Sequence, residues 1–238
     1  MRTVPIPEEA SELRTAWKLV IPVDLVLRGQ GADPRLVRKR QPQLVTLAER
    51  AIAEGLKHIA PEAVLRRRRI HRILDDRVKL EGGLELHGRG VAGPLAGADS
   101  IVAVVATLGA GLEQEIARLR NRELLFQLAL DGFGTAAIGE LGNRVLVEIG
   151  ERAAREGKST TAPLYPGAGP WELSVGHSQI FSLVDAHSIG VRLTSSFMMK
   201  PRKSLSFLVG LGQNLSNGIG GCRECERSDR CRHRSGFD

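Results

Sequence analysis

The chain has 238 residues and a formal net charge of +7 at pH 7, with 42% hydrophobic, 26% charged and 4% aromatic residues. This length allows one large domain or two small ones, and the composition is that of a globular protein with a mostly aliphatic core. No uninterrupted apolar run approaches the roughly 20 residues of a membrane span. The first residues also lack the apolar core of a secretory signal. We therefore expect a cytoplasmic protein that does not cross a membrane.

The residue pattern in the first third of the chain predicts helices, followed by a basic segment whose secondary structure is ambiguous. Asp33 and Pro34 are typical of a helix N-cap followed by proline in the first turn. Apolar residues at helical spacing predict a helix that begins near Gln43 and ends before Pro61. The segment 63–75, AVLRRRRIHRILD, fits either an exposed strand or a basic helix.

The middle of the chain predicts a hairpin, a buried strand and a long helix. Short alternating segments flank Gly82 and Gly83, as in a β-hairpin. Residues 98–109 form a continuous apolar run that ends in glycine, which is typical of a buried strand. A helix of about 123–156 contains four glycines between 132 and 142. Because each glycine weakens a helix by roughly 1 kcal/mol, we expect another backbone or a ligand to approach this helix closely.

The last third predicts a Gly/Pro-rich loop, one helix and two strands. The loop covers 157–176, and the helix runs from Ser178 to about His187. Alternating apolar residues in SIGVRL and in SLSFLVGL predict strands. Helices and strands do not alternate regularly, so the expected fold class is α+β, with a mixed, largely antiparallel central sheet packed with helices. We expect this domain to span 1–215, followed by a cysteine-rich tail over 216–238.

Several segments resemble the activation domain of vitamin B12-dependent methionine synthase, and especially its stand-alone relatives. They are the Pro166-Gly167 loop with Trp171, an IGV-x-LT strand and an MM-x-P-x-KS segment that ends at Ser204. Upstream, TLGAGLEQEI and ALDGFGTAAIGEL match the same family in the same order. The resemblance covers 99–211 and implies the family's α+β fold.

The resemblance also implies a function. Activation domains of this family bind S-adenosylmethionine and support the reductive remethylation of an inactive cobalamin. A stand-alone form is expected to act as an accessory subunit of a separate corrinoid methyltransferase, with flavodoxin or ferredoxin as a possible electron donor. The cobalamin would be carried by that partner protein.

A ligand-binding set follows from the resemblance and from residue chemistry. A sulfonium ligand calls for carboxylates, so helix acids that share a face with apolar residues are candidates, because buried carboxylates need partners. Glycine at 167 allows close approach of a backbone, and aromatic or basic groups can hold an adenine ring or an acidic group. The predicted cofactor-binding residues are Asp131, Glu140, Tyr165, Gly167, Trp171, Arg202 and Ser204.

The sequence departs from the family at one motif. The R-x-x-x-G-Y motif for S-adenosylmethionine aligns with Pro163, Gly167 and Ala168, so its arginine and tyrosine are both missing. Tyr165 and Arg202 are the residues that would compensate. Whether S-adenosylmethionine binds is therefore left open, and docking on a corrinoid protein does not depend on it.

Three cysteines, Cys222, Cys225 and Cys231, lie within ten residues near the C-terminus. An odd, clustered set does not suit a disulfide framework and is typical of metal binding. The spacing fits a [4Fe–4S] cluster with one open iron, a Cys3His zinc site completed by His233, or a thiol tail without metal. A requirement for an electron in reactivation favours the iron–sulfur cluster.

A second function class is a basic nucleic-acid-binding protein with a zinc-knuckle-like tail. It is indicated by the net charge, the RRRRIHR run and the CxxC motif. The scarcity of interleaved aromatic residues argues against it. A third reading is a relative that keeps only the fold.

Overall fold

The computed structural model describes residues 6, 8, 10–88, 90–120 and 122–215. Its helices are α1 (Val23–Gly29), α2 (Pro34–Arg40), α3 (Gln43–Gly55), α4 (Gly111–Arg118), α5 (Leu124–Arg155) and α6 (Leu173–Leu183). Its strands are β1 (Glu12–Arg14), β2 (Glu62–Ile73), β3 (Arg77–Leu80), β4 (Glu85–His87), β5 (Ser100–Thr107), β6 (Ser159–Thr160), β7 (Arg192–Leu193), β8 (Met199–Lys200) and β9 (Ser204–Gly212).

One seven-stranded sheet organises the fold. Its main path runs β4-β3-β2-β5-β9-β6, and β1 pairs with the beginning of β2. Every pairing in this sheet is antiparallel. Strands β7 and β8 form a separate two-stranded ribbon before β9. The predicted α+β class, with an antiparallel sheet packed against helices, is confirmed.

Strand β5 lies at the centre of the sheet and is buried on both faces. Val102 and Val104 pack with the apolar residues of α5, whereas Ile101 and Ala103 pack into a second cluster with α6. This explains why the sequence shows a continuous apolar run here rather than an alternating pattern. The helices therefore cover both faces of the sheet and enclose two hydrophobic clusters.

Helix α5 is the main support of the sheet and matches the predicted helix over 123–156. It packs against α1 at two glycines, where a Cβ on Gly29 would lie 2.5 Å from the Gly132 carbonyl oxygen. The predicted close approach of a backbone is thus found at Gly132. In the described part of the chain, α5 is long and apolar enough, by length and composition, to cross a membrane. Half of its most apolar window is buried, however, as in the core helix of a soluble protein.

The ambiguous basic segment is a strand rather than a helix. Ala63 and Leu65 pack on the α5 side and Val64 on the α6 side, because β2 lies inside the sheet between β5 and β3. The position within the sheet also buries Arg67, which is only 6% exposed.

Two predicted elements of the last third differ from the structure. Helix α6 begins at Leu173 rather than Ser178, because the preceding loop ends once Trp171 has entered the core, and it ends at Leu183 rather than near His187. The predicted SIGVRL strand is mostly wrong, since Ala186–Ile189 form a 3₁₀ turn and only Arg192–Leu193 form a strand. Ile189 and Val191 are buried, but the turn places them in the core, not the alternation of a strand.

Candidate functional site

A groove of about 610 Å³ opens on the α6 side of the sheet, where β9 begins. It lies between the loop before α6, the α6 helix, the β7–β8 ribbon and the first residues of β9. The groove is lined by Tyr165, Pro166, Leu173, His177, Thr194, Ser196, Met198, Met199, Lys200, Arg202, Ser204, Leu205 and Ser206.

Hydrogen bonds within the segment that leads into β9, and from this segment to β5 and α4, hold it in place. The Ser204 hydroxyl lies 2.7 Å from the Pro201 carbonyl oxygen and 2.8 Å from Thr107 Oγ1, at the end of β5. Glu113, in the first turn of α4, accepts hydrogen bonds from the backbone N–H groups of Arg202 and Lys203. This part of the groove is therefore held by the neighbouring elements rather than by the ribbon alone.

His177 connects α6 to the ribbon. Its ring is 4% exposed, and Nδ1 lies 2.6 Å from the carbonyl oxygen of Phe197. Because a carbonyl oxygen can only accept, Nδ1 must carry the hydrogen of this bond. In the neutral ring Nε2 is then an acceptor, and the ring itself forms part of the groove wall.

The charges in the groove are positive. Lys200 and Arg202 are exposed side chains of its lining, and no aspartate or glutamate is among the described residues that line it. Glu113 borders the Arg202 end, but its carboxylate is bound to backbone N–H groups there. The groove is therefore suited to an acidic group and offers no carboxylate to a cation.

Ser206 lies deeper in the groove and is 4% exposed. Its hydroxyl oxygen is buried and has no hydrogen-bond partner among the described residues. Ser204, two residues earlier on the same face of β9, is fully bonded. A buried hydroxyl without a partner is unfavourable by about 1–3 kcal/mol, so Ser206 is a polar group that a ligand or a water molecule would satisfy.

Three of the predicted site residues meet in this groove: Tyr165, Arg202 and Ser204. The Tyr165 ring packs beside Phe207, with ring centroids 5.6 Å apart, and is 38% exposed, so one side of it is available to a ligand. Gly167 lies next to the groove wall, where a Cβ would meet Leu173 at 3.2 Å. The structure thus brings together residues that are separated by about forty positions in the sequence.

Gly167 closes the loop that precedes α6. Its φ is +81°, a conformation that favours glycine. Its N–H donates to the carbonyl oxygen of Trp171 at 2.8 Å. The glycine therefore shapes the turn that delivers Trp171 to the core.

Trp171 is a core residue and is not among the residues that line the groove. It is 2% exposed and packs between two glycines, since a Cβ on Gly88 would lie 3.0 Å from its ring and a Cβ on Gly176 would lie 2.9 Å from it. A ring enclosed in this way cannot stack on an adenine or cover a corrin. The expectation of a stacking tryptophan is therefore not met.

The two predicted carboxylates lie on α5 and do not line the groove. Asp131 is 52% exposed and pairs with Lys203 Nζ at 2.8 Å. Its expected burial was wrong, because Leu124 and Leu128 on the same face are 68% and 53% exposed. Glu140 accepts a hydrogen bond from Arg144 Nε at 2.8 Å within the helix. Both acids are ion-paired helix residues in this structure.

Sequence reasoning missed His177 and Ser206, as well as Thr194 and Ser196 of the ribbon. In the sequence alone, nothing distinguishes His177 from an ordinary polar residue of the surface or core. The alternation along β9 carried a usable signal, because Ser204 and Ser206 share a face with Leu208, and a hydroxyl on a buried face needs a partner. The proximity of α6 to β9 had no local signal.

The predicted metal ligands Cys222, Cys225 and Cys231 lie outside the described residues. Within the described residues, no group of three or more His, Cys, Asp or Glu side chains is arranged to hold a metal ion.

The basic run on β2 is largely engaged within the protein. Arg67 donates to Glu156 at 2.7 Å, while Arg68 and Arg69 donate to the backbone and the carboxylate of Glu8, respectively. These guanidinium groups do not form a free cationic face. The structure therefore does not support the nucleic-acid-binding alternative.

Comparisons with known proteins support the fold. No family model matches the chain, and no curated protein matches its sequence. Among solved structures, the chain is similar to the MetH reactivation domain bound to AdoHcy, with a TM-score of 0.58 and 15% sequence identity. The match covers 90% of this chain and 82% of that chain. At this identity the similarity concerns the fold, which for this chain is that of the MetH reactivation domain.

Proposed function

We propose that this protein is an accessory subunit for the reductive reactivation of a cobalamin-dependent methyltransferase of the methionine synthase type. The observation that carries the proposal is the fold shared with the MetH reactivation domain over 90% of the chain. The protein acts in trans, by docking on a separate corrinoid protein that carries the cobalamin. Its expected location is the cytoplasm.

The groove supports the same proposal. Its walls come from the segments that carry the sequence resemblance: Tyr165 and Pro166 from the proline-glycine loop, Thr194 from the IGV-x-LT segment, and Met199 and Ser204 from the MM-x-P-x-KS segment. Segments that meet only after folding form one concave surface. In this proposal that surface binds an adenosyl ligand of the kind present in the MetH structure.

The residues of the groove fit parts of such a ligand. The exposed side of the Tyr165 ring is available for stacking on an adenine, and the apolar side chains of Leu173 and Met198 suit a thioether. Lys200 and Arg202 suit the carboxylate of the amino-acid end. The fit does not extend to a sulfonium, because no described carboxylate lines the groove.

The cysteine tail is assigned to electron delivery in this proposal. Cys222, Cys225 and Cys231 have the spacing of an iron–sulfur ligand set with one open position, and zinc is the alternative. The absorbance spectrum of anaerobically purified protein separates these options, because a cluster gives a broad visible charge-transfer band. A colourless protein with stoichiometric zinc would instead assign the tail a structural role, and flavodoxin or ferredoxin would then supply the electron directly.

The proposed function is tested with a methionine synthase that lacks its own reactivation domain. The enzyme is oxidised to the cob(II)alamin state, supplied with a reducing system and with the methyl donor of its own reaction, and mixed with the full chain. We expect a stable complex and faster recovery of methyl transfer and of the methylcobalamin spectrum. The corresponding protein with Cys225→Ser tests the contribution of the tail, and a protein with Arg77→Gln, on the distant β3 hairpin, serves as the surface control. Absence of faster recovery would refute the proposal, whether or not a complex forms.

A further inference from the structure

The charge of the groove affects whether it binds AdoHcy or S-adenosylmethionine more tightly. AdoHcy carries an uncharged thioether, and S-adenosylmethionine carries a methyl sulfonium in the same position. The described lining contains Lys200 and Arg202 and no acidic side chain. A cation placed beside these groups is repelled, whereas the carboxylate that both ligands share is attracted.

The acids that were expected to counter a sulfonium cannot do so from their positions. Asp131 is paired with Lys203 and is half exposed on α5, and Glu140 is paired with Arg144 on the same helix. Glu113 is engaged by backbone N–H groups before β9. Asp131 and Glu140 therefore do not balance the field of the groove, while Glu113 keeps its charge and offsets only one of the two lining cations, which leaves a net positive charge there.

Ser206 supplies the second observation. Its hydroxyl is buried and without a partner among the described residues, in the floor of the same groove. A serine hydroxyl can donate to a ligand oxygen or nitrogen and accept from a ligand N–H or O–H. An adenosyl ligand offers both kinds of atom, so its binding would satisfy a group that folding leaves unsatisfied.

We infer that the groove selects the uncharged thioether over the sulfonium, with Lys200 and Arg202 holding the ligand carboxylate and the Ser206 hydroxyl bonding a polar atom of the ligand. This inference rests on the proposed function only for the adenosyl class of ligand. A methyl-donor site would instead have to bind S-adenosylmethionine in preference to AdoHcy. The protein would then hold the demethylated form, which carries no transferable methyl group.

The test is direct binding to the full chain by titration calorimetry with three probes. AdoHcy has the carboxylate and a neutral sulfur, S-adenosylmethionine adds the positive charge, and methylthioadenosine lacks the amino-acid end. We expect AdoHcy to bind at least about tenfold more tightly than either of the others, the size of a modest charge effect in a partly hydrated site. The difference between AdoHcy and S-adenosylmethionine should narrow as salt is raised.

Charge variants identify the cause of the selectivity. Arg202→Gln should weaken AdoHcy binding and reduce the ratio between AdoHcy and S-adenosylmethionine, because one repelling cation is removed. Arg77→Gln, on the β3 hairpin away from the groove, should change neither value.

The contribution of Ser206 to ligand binding can be measured separately from its contribution to stability. Ser206→Ala removes a hydroxyl that has no described partner, so the free energy of unfolding should stay equal or rise, whereas AdoHcy affinity should fall several-fold. Ser204→Ala is the matched control, since it removes a bonded hydroxyl on the same face and should lower stability. Retained affinity in Ser206→Ala would overturn the role given to this residue.

Two further outcomes would overturn the selectivity itself. One is that S-adenosylmethionine binds as tightly as AdoHcy or more tightly, and the other is that none of the three probes binds. These results are independent of the reactivation assay. AdoHcy binding without recovery of the cob(II)alamin enzyme would refute the proposed function alone, and recovery without AdoHcy binding would refute the inference alone.

Discussion

Alanine substitution at two glycines of helix α5 should change the free energy of unfolding in opposite directions. In Gly132→Ala, the new Cβ would lie 2.8 Å from the carbonyl oxygen of Val26 and 2.5 Å from Cγ of Gln30. The glutamine side chain can move, but the backbone carbonyl of α1 cannot. Overpacking of this kind is unfavourable by about 1–3 kcal/mol, and the better helix propensity of alanine returns about 1 kcal/mol. We expect a net loss of up to about 2 kcal/mol in the free energy of unfolding.

Gly139→Ala is the matched control on the same helix. Among the described residues, no atom outside the backbone of α5 itself lies within 4 Å of a Cβ at Gly139, so only the propensity gain remains, and stability should rise by up to about 1 kcal/mol. Urea denaturation followed by circular dichroism measures both changes, and thermal midpoints should differ in the same order by several degrees. If Gly132→Ala were as stable as Gly139→Ala, the close contact between α1 and α5 would be wrong.

Three further predictions address charged groups. Arg67→Met should destabilise the fold by about 1.5–3 kcal/mol in urea denaturation, because it removes the charged hydrogen bond from a buried guanidinium to Glu156; a loss below about 1 kcal/mol would show that the pair is not needed. Asp131→Asn should change stability by less than about 1 kcal/mol, since the carboxylate is half exposed and Lys203 Nζ keeps the Asp131 carbonyl oxygen and Thr135 as partners, and should leave AdoHcy affinity unchanged; reduced affinity would return this acid to the binding site. Burial acts to raise the pKa of Asp99, but hydrogen bonds and charge, chiefly from Lys158, outweigh it and lower the pKa. Asp99→Asn should therefore be less stable than the original protein at pH 7, and the difference should shrink as the pH falls below about 4, where the carboxylate becomes protonated; a constant difference down to pH 3 would contradict this.

Much of the scaffold could be predicted because the signals are local. The central strand β5 is apolar on both faces, and the helix over Leu124–Arg155 has a periodic apolar pattern that its glycines do not interrupt. The nature of the basic segment 63–75 could not be decided locally. A strand is recognised there only once β3 and β5 pair with its two edges.

Part of the candidate site could also be predicted, because some of its residues lie in segments with local signals. Tyr165, Arg202 and Ser204 belong to segments with recognisable composition, and they converge in the groove. The same resemblance and side-chain chemistry predicted a similar role for Trp171 and Asp131, but burial of the first and exposure of the second remove them from it. The chemistry of a side chain is set by the sequence, whereas its accessibility depends on which elements pack over it.

The fold class, the long helix and the order of the family-like motifs follow from the sequence alone, because apolar periodicity and motif order are properties of consecutive residues. Folding set the composition and charge of the groove, since α6, the β7–β8 ribbon and β9 approach one another only when the sheet closes. It also placed the Ser206 hydroxyl, which has no partner among the described residues, in the same groove as Lys200 and Arg202, and it placed Asp131 and Glu140 outside that groove. Ligand preference depends on such distances between charges, and these distances exist only in the folded chain.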